Sequence, residues 1–460
     1  MTQTVELPIW LFVLIVVFAA VTFASHFLFP SVRWFFRRRL ERAVEQLNQR
    51  LQRPIQPFKL ARRHDMIQRL IYDPQVGQAV QQHAKEHGVP EAVAFEQARR
   101  YAREIVPSFS AFTYFGFAIR VARWLSNAFY NVRLSYADEQ AIKSIDPDAT
   151  VVFVMNHRSN MDYVLVTYLA AQHSALSYAV GEWARVWPLS RLIRAMGAYF
   201  IRRRSGSELY RQVLASYVRL ATNAGVTQAM FPEGGLSLTG ALGRPKLGLL
   251  KYIIDGTSSG GRDVVFVPVA LNYDRVLEDT ILTAAALGSE RRFRARIGVI
   301  AWWSLKQLWR RLIGKYRRFG LASVRYGVPI SLNAFRDKDR RDLTTDLARA
   351  LMQRIGQAIP LVPAPAACWL IREYGAMPEA RVKSQVTALM RKASQPEDDV
   401  AVSEAIDQLV ERRILRRNNG MLEASGSRAD LLRYYAASAP LGGEPGDAAE
   451  AKEISAAAGS

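Results

Sequence analysis

Residues 151–166 read VVFVMNHRSNMDYVLV, and this stretch decides the fold. A run of β-branched and apolar residues ends at Met155, polar residues follow, and from Asp162 the apolar residues recur at helical spacing. Strand, short polar turn, helix is the opening of a β-α unit. Further short runs, VTQAMF (226–231) and DVVFVPVAL (263–271), alternate with helical stretches such as SELYRQVLASYVRLATN (207–223). The alternation predicts an α/β fold, a mostly parallel twisted sheet flanked by helices. Half of the 460 residues are hydrophobic, which supplies a packed core and excludes general disorder.

Outward from this core, Leu7 to Phe29 contains no Asp, Glu, Lys or Arg. As a helix it is about 35 Å long, enough to cross a hydrocarbon layer of ~30 Å. Arg33, Arg37, Arg38, Arg39 and Arg42 follow, and Glu6 is the only charged side chain before it. The expectation is a transmembrane anchor over 1–30 with the rest of the chain on the cytoplasmic side, in a bacterial inner membrane or its equivalent. A cleaved signal peptide wants basic residues in front and a shorter apolar stretch.

Residues 31–130 read as a helical N-terminal region broken at Pro54, Pro57 and Pro90. Its last part, Phe109 to Phe129, is apolar but carries Arg120 and Arg123. Those charges argue for a helix lying on the membrane or packed on the next domain. The α/β domain is expected over 131–335 and a helical C-terminal extension over 336–435. Residues 436–460 lack aromatics and read as a disordered tail.

Lys and Arg number 62 against 41 Asp and Glu, a net charge of +21. Such a surface seeks phosphate on nucleic acid, on an anionic membrane or on a small substrate. The single cysteine, Cys368, excludes an internal disulfide, and no Cys or His spacing fits structural zinc. Residues 291–320, RRFRARIGVIAWWSLKQLWRRLIGKYRRFG, mix ten Lys and Arg with aromatics. They read either as an interfacial helix on anionic lipid or as a buried helix with a solvated far side. Aromatic RNA-binding signatures are absent, so no nucleic acid is expected as a partner. No P-loop, dinucleotide fingerprint or metal constellation occurs, so no cofactor is expected.

Four stretches carry chemistry. His157 and Asp162 stand five residues apart at a strand's carboxyl end, where open α/β sheets place reactive groups. Asp162 is placed to accept the imidazole Nδ1–H and leave Nε2 as a general base, or else to cap its helix while His157 fills a loop. GAYFIRRR (197–204) ends a strand in consecutive arginines, either planar forks suited to phosphate or a solvated basic turn. FPEGGLSLTGALGRPKLG (231–248) is a glycine-rich loop in which Glu233, near Arg244 and Lys246, reads on its own as a turn residue or an ion pair. Pro268 interrupts the buried run VVFVPVAL and reads as a strand end or a bulge shaping a cavity. Gly256–Gly260 spells the serine-nucleophile pattern Gly-x-Ser-x-Gly, but here a helical pattern precedes and a strand follows, the reverse of what that motif needs.

In their order and spacing these stretches resemble the glycerolipid acyltransferase family. Its blocks are His-x4-Asp, Gly-x-x-Phe-Ile-x-Arg, Phe-Pro-Glu-Gly-x-Arg-Ser and a late Val-Pro, matched here by His157–Asp162, Gly197–Arg203, Phe231–Ser237 and Val267–Pro268. HRSNMDYVL, GAYFIRR, EGGLSLTG with GRPKLGLL, and RFGLASVRYGVPISL are similar to the glycerol-3-phosphate acyltransferase branch. The resemblance covers about 150–332. It implies an acyl group moving from acyl-CoA or acyl-carrier protein to the sn-1 hydroxyl of glycerol 3-phosphate in phospholipid biosynthesis. His157 would be the base and Asp162 its orienting group. Arg203, with Arg202, would hold the acceptor phosphate. Glu233, Gly234, Ser237 and Lys246 would shape the acceptor site, and Val267 and Pro268 the acyl side. Leu236 stands where the family carries arginine, which removes up to five N–H donors. Arg244, Lys246 or another cation then substitutes, or the acceptor differs: 1-acylglycerol 3-phosphate or dihydroxyacetone phosphate. The non-enzymatic alternative is a membrane-anchored basic protein that binds lipid or nucleic acid.

Overall fold

The computed structural model of the chain describes residues 8–19, 42, 44–51, 53–170, 174–181, 189–202, 207–257, 261–288, 318–336, 342–393 and 399–441. Met1–Pro54 with Gln172–Ser174 form one compact unit, and Ile55–Ala171 with Ala175–Ser460 form the other. In the first unit residues 9–19 are helical. Among the described residues no helix is long and apolar enough to cross a membrane. Most of the expected anchor, and most of the basic aromatic stretch 291–320, lies outside them.

Among the described residues the larger unit is built on a sheet of eight strands: β1 (Asn131–Tyr136), β2 (Thr150–Met155), β3 (Ser177–Val180), β4 (Tyr199–Phe200), β5 (Gln228–Met230), β6 (Val264–Tyr273), β7 (Leu321–Tyr326) and β8 (Ile330–Ser331). Their order is β1-β7-β6-β2-β5-β3-β4, with β8 also on β6. β2 pairs parallel with β5 and β6, β3 with β4 and β5, and β1 with β7. Among the described residues of this sheet, β6 pairs antiparallel with β7 and β8. This is the mostly parallel sheet expected. Its central strands β2 and β6 are buried along their whole length, as helices on both faces demand.

Helices Arg63–Ile71, Pro74–His87, Glu91–Ile105, Glu208–Asn223 and Leu343–Ala358 bury their apolar sides with Val152, Val154 and Phe266 on one face of the sheet. Met161–Ala170, Pro363–Tyr374 and Ala429–Ser438 pack with Phe153, Met155 and Val267 on the other. The helices of 57–129 and of the C-terminal region therefore share the cores of the central sheet, and the expected breaks at 130 and 335 are not boundaries between compact units. A π-helix at Phe112–Ala118 runs into the α-helix Ile119–Phe129, which packs on Met161–Ala170 and buries Ile119, Ala122 and Ser126. The expected packing on the next domain is thus present, while Phe112, Phe117 and Trp124 remain exposed.

Three readings need correction. Pro268 is neither a strand end nor a bulge, since it sits mid-strand in β6. Its antiparallel neighbour is broken there: β7 ends at Tyr326 and β8 begins at Ile330, so a residue without an N–H costs no ladder bond, and the Pro268 carbonyl accepts from Gly327 N at 2.8 Å. The C-terminal extension is not all helical. β9 (Met377–Pro378), β10 (Leu415–Asn418) and β11 (Met421–Ala424) form an antiparallel sheet whose hairpin turns on Asn419 and Gly420, both at positive φ. The packed chain also continues past the expected start of the tail at 436, because Ala436, Ser438 and Ala439 are buried. Residues 442–460 lie outside the described set.

Candidate active site

The site begins where β2 ends. The Asn156 side chain continues the ladder by itself: its Nδ2 donates to Leu271 O at 2.9 Å and its Oδ1 accepts from Leu271 N at 2.8 Å. The next residue, His157, is thereby held at the carboxyl edge of the sheet. The chain then turns back on Asp162, in the first turn of Met161–Ala170. Asp162 Oδ2 accepts from His157 Nδ1 at 2.8 Å, Arg158 N at 2.7 Å and Ser159 N at 3.0 Å, and Oδ1 accepts from the Tyr273 hydroxyl. Capping the turn and orienting the imidazole, the two alternatives for Asp162, are done by one carboxylate. With Nδ1 committed, Nε2 is the ring's free nitrogen.

The imidazole stacks on Phe231 with ring centres 4.1 Å apart and meets the Tyr163 edge at 5.3 Å. His157 is only 2% exposed, enclosed beside these aromatics.

Glu233 is a brace rather than a loose loop carboxylate. Its Oε1 accepts from His157 N at 2.9 Å and its Oε2 from Gly243 N at 2.8 Å. Burial raises its pKa above the usual carboxylate range, against the pull of those N–H groups and of the Arg158 guanidinium. Ser237 N donates to His157 O at 2.8 Å, and its buried hydroxyl donates to Ala241 O and accepts from Gly240 N, so Ser237 shapes the loop from within. Gly240, at φ +82, lies where a Cβ would overlap the Tyr434 carbonyl, and only glycine fits that turn against the C-terminal helix.

Lys246 crosses Gly234, whose added Cβ would come within 2.8 Å of Lys246 Cδ. Lys246 and Arg244 are exposed and in no ion pair among the described residues, so both are available to an anion beside the site. Arg202 is not a free fork. Its Nε and Nη2 donate to the two oxygens of Glu104 at 2.8 and 2.6 Å, and it lies over Tyr101 and Tyr210. Arg203 lies outside the described residues. Leu236 packs against the apolar cluster of the sheet.

Val267 and Pro268 are buried in the sheet and line no described cavity near His157. The apolar space beside the site is elsewhere: a cavity of about 240 Å³ lined by Phe117, Val121, Leu125, Tyr163, Val164 and Tyr178, with Asn160 at its wall. The Gly-x-Ser-x-Gly run does follow a helix, Gly248–Asp255, and precede β6, although Ser258 itself lies outside the described residues. Asn156, Ser159, Tyr273 and Glu278 were not singled out from sequence. Glu278, which accepts from Ser159 Oγ at 2.8 Å, is distant along the chain, and only the path of β6 brings it here.

Residues 135–272 match a family model described as Acyltransferase. A glycerol-3-phosphate acyltransferase of Pseudomonas putida is 30% identical over 287 residues, covering 61% of this chain and 33% of its own length. One of Alteromonas mediterranea is 27% identical over 369 residues, covering 74% of this chain and 44% of its own. The chain thus spans between a third and a half of the length of these curated relatives. Among solved structures, the 1-acyl-sn-glycerophosphate (LPA) acyltransferase of Thermotoga maritima is 16% identical with a TM-score of 0.33, over 57% of this chain and 82% of that one. The His-x4-Asp, glycine-loop and Val-Pro blocks all lie inside the segment 135–272 that matches the acyltransferase family model, and over this part the chain is similar to glycerol-3-phosphate acyltransferases.

Proposed function

We propose that this chain is an O-acyltransferase of phospholipid biosynthesis that moves a fatty acyl group from acyl-CoA or acyl-carrier protein to the sn-1 hydroxyl of glycerol 3-phosphate. The observation that carries the reading is the His157–Asp162 contact of 2.8 Å inside a closed set of donors. His157 Nε2 takes the proton of the acceptor hydroxyl as its oxygen attacks the thioester carbonyl. Asp162 holds the ring and stabilises the imidazolium. The tetrahedral intermediate collapses, the C–S bond breaks, and the thiolate leaves and takes up the proton, with no acyl-enzyme needed. A placed base contributes ~10²–10⁴ in rate, so positioning and charge stabilisation supply the remainder.

Lys246 and Arg244 are the cations we assign to the acceptor phosphate, with Arg203 as the family position; Arg202 instead anchors the strand end to Glu104. The apolar cavity behind Tyr163 is assigned to the acyl chain, in place of Val267 and Pro268, because its lining is almost wholly hydrocarbon and Tyr163 touches the imidazole ring. A membrane location with the α/β unit on the cytoplasmic side is supported by the charge-free run Leu7–Phe29 followed by arginines, and by Phe112, Phe117 and Trp124 exposed beside Arg120 and Arg123.

A second acceptor, 1-acylglycerol 3-phosphate, is favoured by one feature: Leu236 puts hydrocarbon where the family carries a guanidinium, and Leu238 two positions on is 42% exposed. Purified membranes given labelled glycerol 3-phosphate or lysophosphatidate, with palmitoyl-CoA or palmitoyl-carrier protein, separate the two. Acylation of glycerol 3-phosphate that disappears in His157→Ala supports the first reading, and acylation of lysophosphatidate alone replaces it with the second.

A further inference from the structure

Behind the catalytic turn lies a second layer of polar groups that the reaction outlined above does not use. Glu278 is 9% exposed and points its carboxylate at the turn: Oε2 accepts from Ser159 Oγ at 2.8 Å, and Oε1 accepts from Asn160 Nδ2 at 3.0 Å and Asn160 N at 3.3 Å. Ser159 Oγ in turn accepts from Met161 N at 3.1 Å, and Ser159 N donates to the same Asp162 oxygen that receives the imidazole. A shift at Glu278 is thus two hydrogen bonds away from the His157–Asp162 contact. No cation pairs with Glu278 among the described residues, and burial raises its pKa while the Ser159 and Asn160 donors oppose the rise. A desolvated carboxylate of this kind persists only where its donors stabilise it.

The mount of Glu278 is supplied from the far end of the chain. Its neighbour Asp279 is 2% exposed and accepts from the Tyr435 hydroxyl and from Arg412 Nη2, while Arg412 Nη1 donates to Tyr435 Oη at 3.1 Å. Tyr435 Oη also accepts from Val276 N at 3.1 Å. Asn272 Nδ2 donates to Pro360 O and Ser438 O, both at 3.0 Å, which fixes the end of β6 to the same C-terminal helix. The segment from β6 to Asp279 is therefore held on one side by residues 412–438 and holds the catalytic turn on the other.

We propose that Glu278 is a positioning residue for the His157–Asp162 pair, and that Tyr435 and Arg412 make the C-terminal region part of the catalytic apparatus by fixing Glu278 in place. The inference rests on the acyl-transfer reading above. Glu278 touches no reacting atom. It sets the turn so that the imidazole stands at the correct angle, a condition of the transition state more than of substrate binding.

The test measures kcat and both KM values for the full chain in membranes, wild type beside Glu278→Gln, Ser159→Ala, the double variant and Tyr435→Phe, with thermal unfolding of each. Glutamine keeps the shape and loses one of the two acceptor oxygens. Glu278→Gln is expected to lower kcat at least ~10-fold with KM values within about threefold and an unfolding transition retained, the double variant to be no slower than the slower single one, and Tyr435→Phe to show the same kcat-weighted loss at smaller size. If Glu278→Gln fails to fold, Ser159→Ala and Tyr435→Phe carry the same prediction. Unchanged kcat in these variants, losses confined to KM, or losses that multiply in the double variant overturn the inference while leaving the acyl-transfer reading intact. A folded wild type that transfers no acyl group overturns both.

Discussion

Glu233 accepts the backbone N–H of His157 at 2.9 Å, so the proposed base is held by its main chain to the glycine loop as well as by its ring to Asp162. Ser237 N closes the same bracket on the His157 carbonyl at 2.8 Å. The family's first and third blocks are therefore one structure, joined across 76 positions of sequence by hydrogen bonds to one residue.

That bracket predicts the effect of Glu233→Gln. Both carboxylate oxygens receive a backbone N–H, and glutamine turns an NH₂ toward one of them. An unmet buried donor costs ~1–3 kcal/mol. The variant is expected to lose at least ~10-fold in kcat/KM and to melt earlier, as measured by turnover and by thermal denaturation. Full activity would show that the loop does not need the brace.

Leu236→Arg restores the guanidinium that the family carries. It is expected to raise the ratio of glycerol 3-phosphate to lysophosphatidate acylation several-fold, measured with both labelled acceptors in one preparation. A ratio that stays constant would show that Lys246 and Arg244 already complete the phosphate site.

The assignment of the apolar cavity predicts a size effect. Ala122→Phe or Val164→Phe, both at its wall, fills part of about 240 Å³. Long acyl donors are expected to lose ~10-fold in kcat/KM relative to short ones. An equal loss for all lengths would indicate that the acyl chain runs elsewhere.

Stability should fall with rising pH through the weakly acidic range. Asp274 is buried, and desolvation pushes its carboxyl up to about 7 although Ala364 N and Leu321 N donate to it at 2.8 and 2.7 Å. Between its unfolded value near 4 and about 7 the folded state holds a proton that the unfolded chain has lost, so stability declines by at most ~1.4 kcal/mol per pH unit from this group and levels off above. Glu233 and Glu278, raised by burial as well, act in the same direction. Denaturant midpoints across this range should decline less steeply in Asp274→Asn than in wild type. Parallel curves would place the titration on other groups.

The sheet was legible in the sequence because fully buried strands such as TVVFVM have no polar alternation to mislead, and because His-x4-Asp spans a strand end and a helix start. The pairing of Arg202 with Glu104 was not legible, because adjacent arginines look equivalent along a chain, whereas the helix Glu91–Ile105 brings Glu104 against only one described fork. The place of Pro268 was half legible: a proline in a strand signals an irregularity, and here the irregularity is the gap between β7 and β8. The C-terminal hairpin had a local signal, Asn419-Gly420 between short runs, hidden among helical patterns. Glu278 had none, since a carboxylate at the cap of a helix start looks like any surface acid until the fold buries it.

In the proposed reaction the His157 imidazole, held by Asp162, removes the acceptor's proton. Its most direct test is the initial rate at which label passes from an acyl thioester to glycerol 3-phosphate or lysophosphatidate in membranes carrying wild type or His157→Ala, at matched amounts of folded protein. Transfer by the wild type and a drop of at least ~10² in the variant are expected. Transfer at the wild-type rate without that imidazole would contradict it.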